Sequence, residues 1–138
     1  MPVTKTIHVD AAGRQLHRLR CTFASAGAGT VVELERGVHL PDACVVAQVH
    51  GYGVTGSASN HRPDIHEAAA GLSAVPAGAA MLTRADSTAV ADQTNTSRIG
   101  CLVGLESSRS LYVRLVPDSG SDNAGTVDVY VLPVIEGQ

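Results

Sequence analysis

The chain has 138 residues, the usual length of one domain, with 44% hydrophobic and 17% charged side chains. It is too apolar for a disordered tail and too sparsely charged for a coiled coil. A net charge of -3, one lysine (Lys5), 3% aromatic residues and no Trp argue against a nucleic-acid binder, which needs a basic stripe and stacking aromatics.

The N-terminal residues Met1–Asp10 contain Lys5 and His8 and no apolar stretch of the kind found in a signal peptide. The longest nearly apolar stretch, 68–82, is interrupted by Gly and Pro and is too short to span a bilayer. The sequence therefore predicts a chain that is made and folded in a cytoplasm, without a membrane partner.

The first half of the chain shows a period of two, which is typical of β-strands. Leu19, Cys21 and Phe23, for example, alternate with polar residues, so that one side of the strand can enter a core. Glycines and Pro41 mark the breaks between such segments. We predict strands near 3–9, 15–24, 30–35 and 43–50, with weaker candidates at 78–83 and 87–91.

The segment from Gly51 to Gly78 interrupts this pattern. It is rich in Gly, Ser and Asn, contains Pro63, and continues with Glu-Ala-Ala-Ala-Gly at 67–71. These residues predict a long surface excursion over about 51–78, with one helical turn at 64–70. Long loops on compact domains are often functional, and a merely tolerated insertion is the alternative.

The last third shows the clearest alternation. Leu111, Val113 and Leu115 alternate with other residues, as do Val127, Val129 and Val131. Turn formers at 107–108 and 117–125 separate the segments. This pattern predicts a three-stranded antiparallel meander at about 98–106, 109–116 and 126–135.

Together, seven to nine short strands without a clear helix predict an all-β fold. We expect a single domain over 1–138 that forms an antiparallel β-sandwich of the jelly-roll kind. The cysteines at 21, 44 and 101 are odd in number, widely spaced and set in apolar runs. They are therefore predicted to be buried and unpaired rather than a disulfide framework or a zinc site.

Candidate ligands for a metal occur in two places. His61, Asp64 and His66 form the only histidine cluster, but their spacing matches no zinc pattern. Oxygen ligands near the 117–125 loop suggest calcium but lack EF-hand spacing, and turns use the same residue types. These oxygen ligands are Asp118, Asp122, Asn123 and Asp128.

No other pattern indicates chemistry. His17, in phase with the buried side of its strand, is either a base or ligand at a barrel mouth or a histidine at the rim of the core. The Gly-rich run at 51–56 lacks the Lys and helix of a phosphate loop, and no GxSxG elbow is present. We therefore predict no catalytic residue, no cofactor, no metal and no enzymatic activity.

The segment RSLYVRLVPDSGSDNAGTVDVYVLPVIEGQ, Arg109 to Gln138, resembles the closing strands of small structural proteins of tailed bacteriophages. Its sequence pattern, LVP followed by AGTVDVYVLP, is similar to that of capsid decoration (cement) proteins and of some tail accessory proteins. The resemblance covers about 30 of the 138 residues. These families have no invariant catalytic residues, so it assigns no site residue.

The resemblance implies a virion protein on the capsid exterior. Jelly-roll cement proteins bridge neighbouring copies of the major capsid protein at local symmetry axes and stabilise the assembled lattice by mass action. A carbohydrate- or receptor-binding jelly roll and a phage tail accessory protein are the alternatives. A small cupin-like metalloenzyme is a third, although it needs His and Glu ligands on barrel strands.

Partner-contact residues are predicted in the 51–66 segment. Tyr52 and Ile65 would supply apolar contact, and Arg62 can form bidentate bonds to carboxylates. The N-terminal arm, Pro2–Asp10, is the second candidate, because an arm can add a strand to a neighbour's sheet. Self-association is also expected, with a dimer favoured and a trimer as the alternative.

Overall fold

The computed structural model describes residues 3–24, 31–55, 60–69, 71–72, 82–83, 87–88, 97–105, 109–117 and 124–134. Within these residues the chain forms ten strands and no helix. The strands are β1 (Val3–Val9), β2 (Gln15–Phe23), β3 (Val32–Leu34), β4 (Cys44–Thr55), β5 (Asn60–Ala69), β6 (Leu82–Thr83), β7 (Ser87–Thr88), β8 (Ser97–Leu105), β9 (Arg109–Pro117) and β10 (Ala124–Pro133).

The strands form two sheets that pack face to face. Sheet A has the order β1-β2-β10-β4-β8, and sheet B has the order β3-β9-β5-β6, with β7 also pairing with β5. The neighbouring strands within each sheet are antiparallel. The predicted all-β antiparallel sandwich is therefore confirmed.

The pairing between strands is nested. β2 pairs with β10, β3 with β9, β4 with β8 and β5 with β6, so the chain runs out and back as one long hairpin. The pairs β4·β10 and β5·β9 then join the rolled hairpin into two sheets. This arrangement of two Greek keys is the jelly roll expected from the sequence.

The predicted meander is wrong, although its three strands exist. β9 belongs to sheet B, whereas β8 and β10 belong to sheet A, where β4 lies between them. The alternation of side chains identifies a strand, but it does not say which strand pairs with it. Here each pairing partner is distant in sequence, which local patterns cannot show.

The predicted excursion at 51–78 is also wrong over most of its described part. β4 continues to Thr55, and 60–69 form β5 rather than a loop with a helical turn. In the sequence, Pro63 and the polar residues around it argue against a strand. In the structure, this segment nevertheless pairs with β9 in an uninterrupted register. Residues 56–59, 70 and 73–78 lie outside the described part of the chain.

The core lies between the sheets and includes the predicted alternating positions of β2, β9 and β10. Each fully buried Val, Leu or Ile side chain contributes about 1.5–3 kcal/mol through removal from water. Sheet A supplies Leu19, Cys21, Phe23, Cys44, Val46, Val49, Val127, Val129 and Val131, and sheet B supplies Val32, Leu34, Ile65, Leu111, Val113 and Leu115.

Two cysteines belong to this core. Cys21 and Cys44 are buried and unpaired, as predicted, and Cys101 lies on β8 with its side chain outside the described part. Burial raises the pKa of the Cys21 thiol to about 12, with a smaller contribution from the carboxylate of Asp128. At neutral pH this thiol is therefore protonated and a poor nucleophile.

In the described residues no helix has the length and apolar character needed to cross a membrane.

Truncation of a core side chain should test this packing. Leu19 is fully buried, so we expect Leu19→Ala to lower the free energy of unfolding by about 2–5 kcal/mol. Val38 is 59% exposed, and Val38→Ala should change it by less than about 0.5 kcal/mol. Urea denaturation measures both, and equal losses in the two variants would contradict the assignment of the core.

Candidate binding surface

The structure does not bring the three predicted contact residues together. Tyr52 lies near the end of β4 in sheet A, whereas Arg62 and Ile65 lie on β5 in sheet B. Ile65 is 0% exposed and packs in the core, which conflicts with its predicted contact with a partner. The side chain of Arg62 lies outside the described part. The predicted arm at Pro2–Asp10 is strand β1 over residues 3–9.

Tyr52 belongs to a surface that sequence patterns did not predict, the side of sheet A that faces away from sheet B. We call this surface the outer A face. Residues directly opposite each other in a ladder share a face, so the register defines its members. Among the described side chains these include Thr4 and Thr6 on β1, Arg18, Arg20 and Thr22 on β2, Thr126, Asp128 and Tyr130 on β10, and Gln48, His50 and Tyr52 on β4.

A β-bulge at Ala47 places Tyr52 on this surface. The registers of β4 with β10 and of β4 with β8 both shift between Val46 and Gln48. One extra residue reverses which side chains face outward beyond that point. Val46 and Val49 therefore both enter the core, and His50 and Tyr52 face outward.

An ion pair lies at the centre of the outer A face. The Nε of Arg20 donates to Oδ1 of Asp128 at 3.0 Å, and Nη2 donates to Oδ2 at 3.2 Å. This bidentate geometry is the strong form of the interaction. The Asp128 side chain is only 3% exposed, while that of Arg20 is 37% exposed. The pair fixes β2 against β10 and leaves one edge of the guanidinium near solvent.

Two rings complete this cluster. The Arg20 guanidinium carbon lies 5.6 Å from the centroid of the Tyr52 ring, within cation–π range. The His50 ring lies 5.0 Å from the Tyr52 ring at an interplanar angle of 35°. Burial, and secondarily the negative charge of Asp128, raises the pKa of Tyr52 to about 12. The phenol therefore stays protonated at physiological pH and remains a hydrogen-bond donor.

A second row of polar side chains lies beside the cluster. Arg18 is opposite Tyr130, and Tyr130 is opposite Gln48. All three are half-buried, so they are partly held by their neighbours and partly open to solvent. Arg18 donates from Nη2 to Oγ1 of Thr6 at 3.4 Å, which ties this row to the edge strand β1. Among the described side chains, the outer A face thus presents two tyrosines and two arginines on one sheet.

One end of the outer A face is apolar. Leu132 is 39% exposed, and the register of β10 with β4 places it opposite Val45. Next to it is a hollow of about 490 Å³, lined by residues 8–10, 14–16 and Leu132. A salt bridge from Arg14 Nε to Asp10 Oδ2, at 2.7 Å, holds the β1–β2 turn at the rim. The polar rows therefore continue into an apolar hollow.

The structure places the three candidate metal ligands of the histidine cluster on one strand. His61, Asp64 and His66 lie on strand β5 rather than in a loop, and the side chain of His61 lies outside the described part. The Asp64 carboxylate accepts from Arg114, with Nε and Nη2 each 3.2 Å from Oδ2. Desolvation, followed by the charge of Arg114, lowers the pKa of His66, so its neutral form is favoured. In the part of the chain that can be described, no group of three His, Cys, Asp or Glu residues is placed to hold a metal.

Of the other candidate ligands, Asp128 and His17 have neighbouring side chains as partners. Asp128 is engaged by Arg20, and Asp118, Asp122 and Asn123 lie outside the described residues. His17 is 5% exposed, and its Nε2 lies 2.9 Å from Oε1 of Gln15. Burial, and to a smaller extent Lys5, lowers the pKa of His17. Its position at the end of the buried side of β2 matches the predicted rim histidine.

No protein-family model matches this chain, and a search of curated proteins finds no match. The geometry of the outer A face and the resemblance of the C-terminal segment are therefore the grounds for a functional proposal.

Removing Arg20 should expose the energetic role of the ion pair. Arg20→Met leaves the Asp128 carboxylate buried without its partner, and we expect unfolding free energy to fall by about 1–3 kcal/mol. The double variant Arg20→Met/Asp128→Leu should regain most of that loss, because both charges are then gone. Urea denaturation of the wild type, Arg20→Met, Asp128→Leu and the double variant gives the coupling free energy between the two side chains. A double variant no more stable than Arg20→Met would refute this account.

The raised pKa of Tyr52 predicts a pH dependence. The folded chain favours the neutral phenol, so this stabilisation is complete below pH 10, the ordinary tyrosine pKa, and is lost as pH rises towards 12. We expect the ultraviolet phenolate titrations of the wild type and Tyr52→Phe to differ by one late-ionising group. A difference curve with its midpoint near pH 10 would show that Asp128 and burial do not act on this phenol.

Proposed function

We propose that this chain is a capsid decoration, or cement, protein of a tailed bacteriophage. In this proposal it binds the outside of the major capsid protein lattice, stabilises the head, and carries out no catalytic step. The observation that supports the proposal is the outer A face, where Arg18, Arg20, Tyr52 and Tyr130 lie together on one sheet. A broad sheet surface of this kind is suited to contact with another protein surface.

The chemistry of the outer A face favours a protein partner. Tyr and Arg are enriched among the residues that dominate the energies of protein interfaces. Arg20 is already paired with Asp128, so a partner that covers it does not bury an uncompensated charge. Arg18 and Tyr130 are half-buried and partly ordered before binding, which lowers the entropic cost of fixing them.

The resemblance to phage structural proteins falls on this same surface. The segment Arg109–Gln138 includes β9 and β10, and β10 carries Asp128 and Tyr130 at the middle of sheet A. The strand that resembles the closing strand of cement proteins thus supplies the centre of the proposed contact surface. A ligand that binds only the assembled lattice stabilises it by mass action, and this is the role proposed for the chain.

A carbohydrate-binding role is less compatible with the geometry. Sugar recognition by aromatic side chains needs an accessible ring face. The Tyr52 ring already contacts the Arg20 guanidinium and the His50 ring, which would have to move before a sugar could stack there. Tyr130 lies on the same surface, so the effect of Tyr130→Ala on sugar binding and on particle binding can distinguish the two functions.

The test is binding to phage heads. Particles produced by cells whose genome encodes the chain are stripped of it, mixed with purified chain and sedimented. We expect saturable co-sedimentation, and we expect Tyr130→Ala combined with Arg18→Glu to weaken binding at least tenfold, equivalent to about 1.4 kcal/mol. Val38→Ser, at an exposed turn outside both sheets, should bind like the wild type.

The outcomes separate the alternatives. The head fraction should contain the chain, and its removal should make heads release DNA at lower temperature. Recovery only with tails would support the tail accessory alternative, and binding to a glycan array with loss in Tyr130→Ala would support a sugar-binding module. Absence from all particle fractions would refute a virion role.

A further inference from the structure

Strand β1 forms one edge of sheet A. It pairs with β2 on one side, and no described strand pairs with its other side. β1 is seven residues long and has an uninterrupted register with β2. A regular edge of this length offers a row of backbone groups to another strand unless something covers it.

The register of β1 with β2 shows which residues direct their backbone amides and carbonyls away from β2. The amide of Asp10 donates to the carbonyl of Arg14 at 3.0 Å, which makes this a hydrogen-bonded pair at the end of the β1–β2 ladder. Hydrogen-bonded and non-hydrogen-bonded pairs alternate along an antiparallel ladder. The even-numbered residues of β1 therefore bond to β2. The odd-numbered residues point their amides and carbonyls outward; they are Val3, Lys5, Ile7 and Val9.

These four residues are self-complementary about a two-fold axis at Thr6. In an antiparallel pair of β1 strands centred there, Val3 of each copy lies opposite Val9, and Lys5 lies opposite Ile7. All four outward residues then pair, with about eight hydrogen bonds across the axis. Moving the axis to Lys5 places two lysines directly opposite each other, and moving it to Ile7 leaves Val3 unpaired.

The side chains favour the same arrangement. Ile7 is 46% exposed and Val9 is 60% exposed, although both lie on the side of sheet A that faces the core elsewhere. Each would meet a side chain of the second copy, Val9 an apolar Val3 and Ile7 the aliphatic stem of Lys5. Pairing would therefore remove exposed apolar surface as well as satisfy the strand edge.

We propose that the occupant of this edge is a second copy of the chain, which pairs antiparallel through β1 about an axis at Thr6. Two five-stranded A sheets then form one continuous sheet of ten strands. The axis is perpendicular to the sheet, so both outer A faces point to the same side. This dimer does not depend on the proposed role at a capsid.

Disulfide trapping tests the register. At the axis, the two copies of Thr6 form a non-hydrogen-bonded pair with Cα atoms about 4.5 Å apart, which a disulfide can span. The two copies of Thr4 lie four residues apart along the strands, roughly 14 Å, which is too far. We expect Thr6→Cys to form a covalent dimer on mild oxidation, while Thr4→Cys and the wild type do not.

A backbone variant tests the strand pairing without a cysteine. Lys5→Pro removes an outward amide and leaves the even-numbered bonds to β2 in place, and proline is tolerated on an edge with this orientation. Sedimentation equilibrium should show a dimer for the wild type and for Lys5→Ala, and at least a tenfold higher dissociation constant for Lys5→Pro. Circular dichroism and thermal unfolding check that Lys5→Pro remains folded.

A wild-type chain that sediments as a monomer or trimer at micromolar concentration would overturn the proposal. So would a dimer in which Thr6→Cys fails to cross-link, or in which Thr4→Cys cross-links equally well. If Lys5→Pro does not fold, the comparison of Thr6→Cys with Thr4→Cys still decides the register.

Discussion

The antiparallel pairing of β10 with both β2 and β4 is the constraint on which most of this structure depends. β10 is the middle strand of sheet A, and its two sides have different chemistry. Val127, Val129 and Val131 face the core, whereas Asp128 and Tyr130 face outward. A slip of one residue would exchange these sets, placing a carboxylate among valines. The hydrophobic core and the outer A face are thus specified by the same register.

Each sheet also has a buried carboxylate on the side away from the core, paired with an arginine on the neighbouring strand. Asp128 pairs with Arg20 in sheet A, and Asp64 pairs with Arg114 in sheet B. The partners are separated by 108 and 50 residues in the sequence. Such pairs often add little net stability because both charges lose water, but a wrong partner leaves a charge unpaired. We infer that the two pairs favour the observed strand order over its competitors.

Local sequence patterns predicted the strands whose inward positions are all apolar, such as Leu111, Val113 and Leu115 on β9. They failed for β5, where Pro63 interrupts the pattern and the outward Asp64 is stabilised by a residue far along the chain. The strand order follows from pairings between distant segments, and a single sequence does not specify these. The outer A face was missed for the same reason, because its residues come from separate strands. Of its residues only Tyr52 is predicted as a partner contact, and it is placed in a predicted loop that is instead the end of β4.

The bulge at Ala47 makes the surface chemistry sensitive to the number of residues in β4 rather than to the identity of the residue at the bulge. Deleting that one residue would remove the extra residue of β4 against β10, and with the register of 44–46 kept it would direct His50 and Tyr52 towards the core. The same change would expose the Val49 side chain to solvent. During divergence, substitutions at position 47 should therefore be tolerated more readily than a single-residue insertion or deletion. A change in strand length would remove the aromatic part of the surface without altering any of the residues that form it.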